Sequence, residues 1–274
     1  MCEDCGCREG NERVFSDKEH SHEHAHRHGD VVHTHAHPHE HAHEHAHDHT
    51  HEHVHEHSHA PRTVAVEMGV LERNDRQAAE NHAWLAARGV VAVNLISSPG
   101  SGKTLLLEKT LDALRDKVSC AVITGDQQTD NDARRMMGRG AKVVQIETRS
   151  ACHLNAEQVR DRLSEVVDEG VKLLFIENVG NLVCPAAFEL GEDRRVVLLS
   201  VTEGEDKPLK YPVAFYSAGT VVLTKTDLLP HLDFNMDACR SAIRKVHPDA
   251  RIIELSARTG QGMDAWLDWL RRLV

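Results

Sequence analysis

Aromatic side chains are scarce, 4% of 274 residues, so any core this chain builds is mainly aliphatic, as suits an α/β protein. Long hydrophobic runs are missing as well. Nowhere do about 18 apolar residues follow one another, and no membrane-spanning helix is expected. The opening residues, MCEDCGCREGNERVF, lack the apolar stretch of a secretory signal. No basic stripe is evident, which argues against nucleic acid as a partner. An even, regularly spaced cysteine set is also absent. The seven cysteines include three within the first seven residues, which fits metal thiolates in a reducing cytoplasm better than a disulfide framework.

What is present is unevenly distributed. Residues 1–60 hold 13 acids against 4 bases, a net of −9, whereas 61–274 hold 30 against 28, a net of −2. The acidity belongs to a tail, and the remainder, 61–274, is nearly neutral. Of the 23 histidines, 19 lie in 20–59, at nearly every second position, with Ala, Glu, Asp or Thr between them. Period two is the spacing of a strand, yet both faces would be polar or small. Nothing there buries a core, and disorder is expected. An expression tag is a poor alternative, because this run is interleaved with acids and follows a cysteine motif. The chain therefore divides into an N-terminal cysteine motif (1–19), a disordered histidine-rich tract (20–60) and one domain (61–274).

In that domain, 67–88 has a helical pattern that Gly89 stops. Apolar runs recur at 90–96, 119–124, 142–146, 172–177, 195–201, 220–225 and 251–256, nearly continuous, as in strands covered on both faces. Helical patterns lie between them at 104–116, 155–169, 235–246 and 263–273. The alternation predicts an α/β fold with a doubly wound, mostly parallel sheet, preceded by the metal-binding tail.

The first strand leads into SSPGSGKT (97–104). This is the phosphate-loop pattern G-x-x-x-x-G-K-[ST], with Ser97 at the first glycine, in the strand–loop–helix context the pattern requires. Backbone N–H groups of Gly100, Ser101, Gly102, Lys103 and Thr104 can cradle phosphates at a helix N-terminus. Lys103 would reach the β/γ oxygens and the Thr104 hydroxyl would hold Mg²⁺. TKTD (224–227) stands where guanine-specific proteins carry N/T-K-x-D. The Asp227 carboxylate can accept from both N1–H and N2–H₂ of guanine, while Lys225 lies along the base and braces the phosphate loop. In SAR (256–258), Ser256 and Ala257 could supply a backbone N–H to guanine O6. GTP is the expected nucleotide. Asp126, in GDQQTDND, and Glu177, in ENVGN, stand at carboxyl ends of strands, where either could hold Mg²⁺; Asp132 could orient the attacking water. Any one of these acids alone could equally be a surface carboxylate at a helix start.

Cys152 and His153 sit side by side after the third strand, and Cys184 lies seven residues after Glu177. Singly, Cys152 reads as a small buried hydrophobe and His153 as a polar residue at a helix start. The ends of two neighbouring strands would bring all three together, as soft ligands beside the γ-phosphate site. Three protein ligands leave a coordination position for a water, or for a residue of a second subunit across a twofold axis.

CEDCGC, the histidine tract, SSPGSGKT, GDQQTDNDA, ACHLNA, ENVGNLVCP and TKTDLLP together resemble the hydrogenase nickel-incorporation GTPases, the HypB family. The resemblance covers most of the chain. It implies a cytoplasmic GTPase that delivers nickel during [NiFe]-hydrogenase maturation. It also implies GTP-linked homodimerisation, a HypA-type metallochaperone as partner, and the hydrogenase large-subunit precursor as recipient. Metal roles carry over onto Cys2, Cys5 and Cys7, and onto Cys152, His153 and Cys184. Read alone, C-x-x-C-x-C at the terminus offers three thiolates and an α-amine, a set that suits Ni²⁺ in a flat arrangement; a redox-sensitive tail is the plainer reading. The histidines, with pKa near ~6.5, suggest a store of weakly held ions. Zn²⁺ remains open at the Cys152–His153–Cys184 set. A urease accessory GTPase, and a nickel storage protein with a vestigial nucleotide domain, are the competing readings.

Overall fold

The computed structural model describes residues 22–28, 31–37, 61–126, 131–148 and 151–274. The chain divides into two compact units, Glu9–Ala60 and a larger one that includes Pro61–Val274. In the smaller unit, β1 (His22–His28) pairs antiparallel with β2 (Val31–His37), His22 opposite His37. The strict alternation carries the strand period. Cys2, Cys5, Cys7 and the remainder of the histidine tract lie outside the described residues.

The larger unit runs α1 (Pro61–Ala86), β3 (Val91–Ser97), α2 (Lys103–Leu114), β4 (Cys120–Asp126), α3 (Asn131–Met136), β5 (Ala141–Glu147), α4 (Ala156–Val166) and β6 (Leu173–Gly180). It continues through α5 (Cys184–Ala187), β7 (Arg194–Ser200), α6 (Lys207–Lys210), α7 (Pro212–Ser217), β8 (Thr220–Thr224), a 3₁₀ segment (Thr226–His231), α8 (Met236–Val246), β9 (Arg251–Glu254) and α9 (Met263–Arg271). Each of the seven apolar runs becomes a strand, and together they form one parallel sheet in the order β5-β4-β6-β3-β7-β8-β9.

Alternate side chains of these strands are buried on opposite faces. Val93, Leu95, Phe175 and Leu198 meet Leu107 and Leu111 of α2 and Trp266 and Leu270 of α9. On the other face, Ala92, Ile123 and Ile176 lie under Leu85 of α1 and Val159 and Leu163 of α4. Further along that face, Ile96, Val197 and Leu223 lie with Phe215 of α7 and Ile243 of α8. Each such aliphatic side chain contributes about 1.5–3 kcal/mol on burial. The one polar atom of the Trp266 ring is satisfied, its Nε1 donating to Thr110 Oγ1 at 2.8 Å.

The order of the strands positions the site. β3 is flanked by β6 and β7, with β4 and β5 on one side and β8 and β9 on the other. The progression reverses at β3, and the crevice at its carboxyl end is where such sheets bind ligands. The pairing of β3 with β6 is irregular there: Leu95 faces Glu177, but Ser97 faces Gly180. The extra residue on β6 makes a bulge within ENVG, a device that re-aims side chains beside a site.

Candidate nucleotide and metal site

The phosphate loop folds around Ser97, the last residue of β3. Its Oγ accepts from Lys103 Nζ at 2.7 Å and from Ser101 Oγ at 2.5 Å, and it is fully buried. A serine in place of the first glycine thus serves as the anchor of the loop. Gly102 has φ +98°, which places it in the left-handed region that favours glycine, just before the first turn of α2. The loop, Asp126, Asp132, Arg135 and Glu177–Gly180 line a cavity of about 530 Å³.

Thr104 Oγ1 donates to Glu177 Oε1 at 2.8 Å, and Thr124 Oγ1 to Glu177 Oε2 at 3.2 Å. Glu177 therefore stands over the first turn of α2. It is not at the strand end, as the sequence suggests, but three residues inside β6, which runs on to Gly180. Asp126 does end β4, and Asp132 lies in the first turn of α3, 3.6 Å from Arg135. Burial holds the Glu177 carboxyl above the ordinary carboxylate range, with the Lys103 charge opposing it. Burial likewise holds Lys103 below its ordinary range, against the attraction of Glu177, Asp132 and Glu203. A buried cation at the mouth of the loop favours a polyanionic ligand.

Thr224 Oγ1 donates to Ser101 O at 2.7 Å and Lys225 Nζ to Gly100 O at 2.6 Å. These two bonds pin the end of β8 to the phosphate loop, and Lys225 adopts φ +59° to make its contact. Asp227, Ser256 and Ala257 do not line the phosphate cavity. The two segments that carry them meet where Thr226 N–H donates to Leu255 O at 3.3 Å. Ser256 is held by bonds from its N–H to Gln261 O and from Thr259 N–H to its hydroxyl.

The ligand atoms of Cys152, His153 and Cys184 all lie within 4.8 Å of one another. The route to that cluster differs from the expected one, because β5 and β6 are not neighbours; β4 lies between them. The segment after β5 crosses the end of β4, tied by Thr148 N–H to Asp126 O at 2.9 Å. It passes over Gly125, where a Cβ would stand 2.8 Å from Leu154 Cγ. A glycine at this point lets the two cysteines meet. His153 is buried and its ring packs on Phe188 at 4.0 Å between centroids. Cys152 and Cys184 are half-buried. By contrast, burial pushes the Cys120 and Cys239 thiols up to about 12, which makes them core residues and not ligands.

Side chains that the sequence reading passed over hold the trio. Asn178 Oδ1 accepts from Leu154 N–H at 3.1 Å and from Val179 N–H at 3.0 Å. Asn181 donates to Cys152 O at 3.4 Å and accepts from Val183 N–H at 2.9 Å, so it grips the residue before Cys184 as well. Asn181 also bridges in backbone to Ser97. From behind, Asn81 of α1 donates to Ala156 O at 2.8 Å and Leu190 O at 3.0 Å, and Arg195 donates to Ala186 O and Phe188 O. In sequence, both asparagines belong to ENVGN, Asn178 within β6 and Asn181 just after it.

A phosphate loop at the switch point of a parallel sheet, joined through one strand to a thiolate–imidazole cluster, defines a P-loop nucleotide-binding protein with a candidate metal centre. Residues 91–254 match the CobW/HypB/UreG, nucleotide-binding domain. The hydrogenase maturation factor HypB of Azotobacter vinelandii is 54% identical over 211 residues, 77% of this chain and 70% of that protein. That of Escherichia coli (strain K12) is 52% identical over 209 residues, 76% and 72%. The crystal structure of HypB from Archaeoglobus fulgidus has TM-score 0.70 at 38% identity, covering 74% of this chain and 99% of that one. HypB from Helicobacter pylori in complex with nickel has TM-score 0.69 at 37% identity, covering 73% and 94%. The chain belongs to the CobW/HypB/UreG family of nucleotide-binding proteins, among the hydrogenase maturation factors HypB. Among the described residues, no helix is long and apolar enough to cross a membrane.

Proposed function

We propose that this chain hydrolyses GTP and uses the cycle to hold and release nickel for [NiFe]-hydrogenase maturation. The observation that carries the reading is the shared segment: β6 gives Glu177 to the phosphate side, while its Asn178 and the following Asn181 hold the cysteine–histidine trio. A nickel-bound HypB structure, similar to this chain over 73% of its length, supports nickel as the cargo of Cys152, His153 and Cys184. Specificity for guanine rests on Asp227, whose carboxylate would leave the adenine edge unpaired. Thr104, Glu177 and Asp126 offer the hard oxygen donors that Mg²⁺ takes, and the 2.8 Å approach of the Thr104 hydroxyl to Glu177 fits an ion held at or just beyond that pair. Held there, Mg²⁺ would neutralise the charge that develops on the phosphoryl oxygens. Lys103 binds the β/γ oxygens and Asp132 orients the water. A homodimer formed on GTP, a HypA-type metallochaperone and the hydrogenase large-subunit precursor complete the reading, with Cys2, Cys5, Cys7 and the histidine tract as nickel-collecting segments.

The test is nickel affinity of the 61–274 unit in nucleotide-free, GDP and non-hydrolysable GTP states, beside a GTP hydrolysis assay. The expected outcome is hydrolysis together with an affinity that changes by roughly 5- to 150-fold between states, lost in Cys184→Ala. Three equal affinities would make the trio an isolated site and sink the coupling.

A further inference from the structure

Two arginines share one buried carboxylate next to the phosphate cavity. Glu108, on α2, accepts from Arg135 Nη2 at 2.8 Å and from Arg139 Nη2 at 3.1 Å. The Glu108 side chain is 9% exposed and that of Arg135 is 46% exposed. Only Arg135 faces the cavity: it is the one arginine among the described lining residues, beside Lys103, Thr104 and Glu177. Its helix, α3, is seated by Ala133 and Met136, both buried, so the guanidinium is carried on a fixed base. One feature of this arrangement is otherwise redundant. Arg139, which also pairs with Asp112, is a second cation on Glu108. Arg135 can therefore leave Glu108 without stranding a buried charge, which is otherwise strongly destabilising.

We propose that Arg135 is a catalytic residue of the hydrolysis proposed above, moving from Glu108 onto the γ-phosphoryl oxygens of the bound nucleoside triphosphate. This rests on the reading of the chain as a GTPase. In the step, water oxygen bonds to the γ-phosphorus and the bond from that phosphorus to the β–γ bridging oxygen breaks. The electron pair stays on the nucleoside diphosphate, and the water proton leaves with the released phosphate. Charge spreads over the γ-oxygens, and a planar guanidinium with a permanent charge and forked donors stabilises it. Arg135 supplies charge and hydrogen bonds but no proton. Glu108 then serves as a latch that parks the guanidinium when no γ-phosphate is present.

The experiment is steady-state GTP hydrolysis with Mg²⁺ by the full-length protein and its R135A, R135K, R139A and E108Q variants, with GTP affinity measured alongside. R135A is expected to lose about 10²-fold or more in kcat with little change in GTP affinity. R135K should lose nearly as much, since an ammonium lacks the fork, and it keeps the proposal testable if R135A fails to fold. R139A should lower kcat, though by less than R135A, because without Arg139 each departure of Arg135 strands the buried Glu108 charge, and E108Q, which removes that charge, should lose less than R139A. Parent-like kcat in R135A and R135K would overturn the proposal. So would equal losses in R139A and E108Q, which would mean that Arg135 serves only to pair Glu108. A parent protein that hydrolyses no GTP would remove the GTPase reading and this role together, whereas the other two failures remove the role alone.

Discussion

Asn178→Ala removes one carboxamide at the join between the two sites. The side chain is 1% exposed, and its Oδ1 accepts from two backbone N–H groups, those of Leu154 and Val179. This pairing also fixes which end of the amide is which, since the reverse orientation would set NH₂ against two donors. Its Nδ2 is buried and has no partner among the described residues. Two buried donors left unpaired cost about 2–6 kcal/mol, and deleting the unpartnered NH₂ recovers about 1–3 kcal/mol, for a net loss of roughly 1–3 kcal/mol. In a domain above 200 residues that is a drop in Tm of roughly 3–10 °C. The Leu154 N–H is the anchor next to His153, so nickel affinity of the 61–274 unit should also fall, by roughly 10- to 100-fold as for lost outer-shell support. Thermal unfolding and chelator competition on that unit are the assays. A variant with parental Tm and parental nickel affinity would show that the loop is held by Asn181 and α1 without Asn178.

Three further outcomes are expected. Asp227→Asn should shift preference from GTP towards XTP, since the amide offers a donor where xanthine has an oxygen; competition binding that still favours GTP would refute the assignment. Deleting residues 20–59, with 19 histidines, should remove most bound nickel equivalents in equilibrium dialysis and leave GTPase activity intact, while equal capacity in both proteins would end the idea of a store. Gly125→Ala sets a Cβ 2.8 Å from Leu154 Cγ and should lower stability by about 1–3 kcal/mol together with nickel affinity, both partly rescued by Leu154→Ala in the same chain.

The sheet was legible because parallel strands buried on both faces are written as near-continuous apolar runs. The short helices were not. α5 and α6 have four residues each and α3 and α7 six, too few for a helical period to show. The phosphate loop is contiguous, so its chemistry reads directly from SSPGSGKT, and the structure adds only that Ser97 anchors it. Topology is another matter. Local pattern carries no record of which strands are neighbours, and β5 was set beside β6 when β4 lies between; the trio forms because Gly125 lets the crossing segment pass. Arg135 and Glu108 are 27 residues apart, and nothing along the chain marks them as partners.

The bulge in ENVG explains why one strand can serve both sites. A regular β6 would turn successive side chains to alternate faces of the sheet and keep in register with β3 to its end. Instead three steps along β6, from Glu177 to Gly180, span two along β3, from Leu95 to Ser97. Within those steps Glu177 meets Thr104 and Thr124 and Asn178 meets Leu154, and just beyond them Asn181 is paired in backbone to Ser97, the anchor of Lys103. Under the proposed cycle, a shift of Glu177 or Ser97 on nucleotide binding would carry over to the hydrogen bonds that hold Cys152, His153 and the residue before Cys184. No long chain of contacts is required, because two or three bonds of about 1 kcal/mol each are enough for a coupling of 1–3 kcal/mol. The same linkage runs backwards: metal held at the trio must alter nucleotide affinity by the same factor.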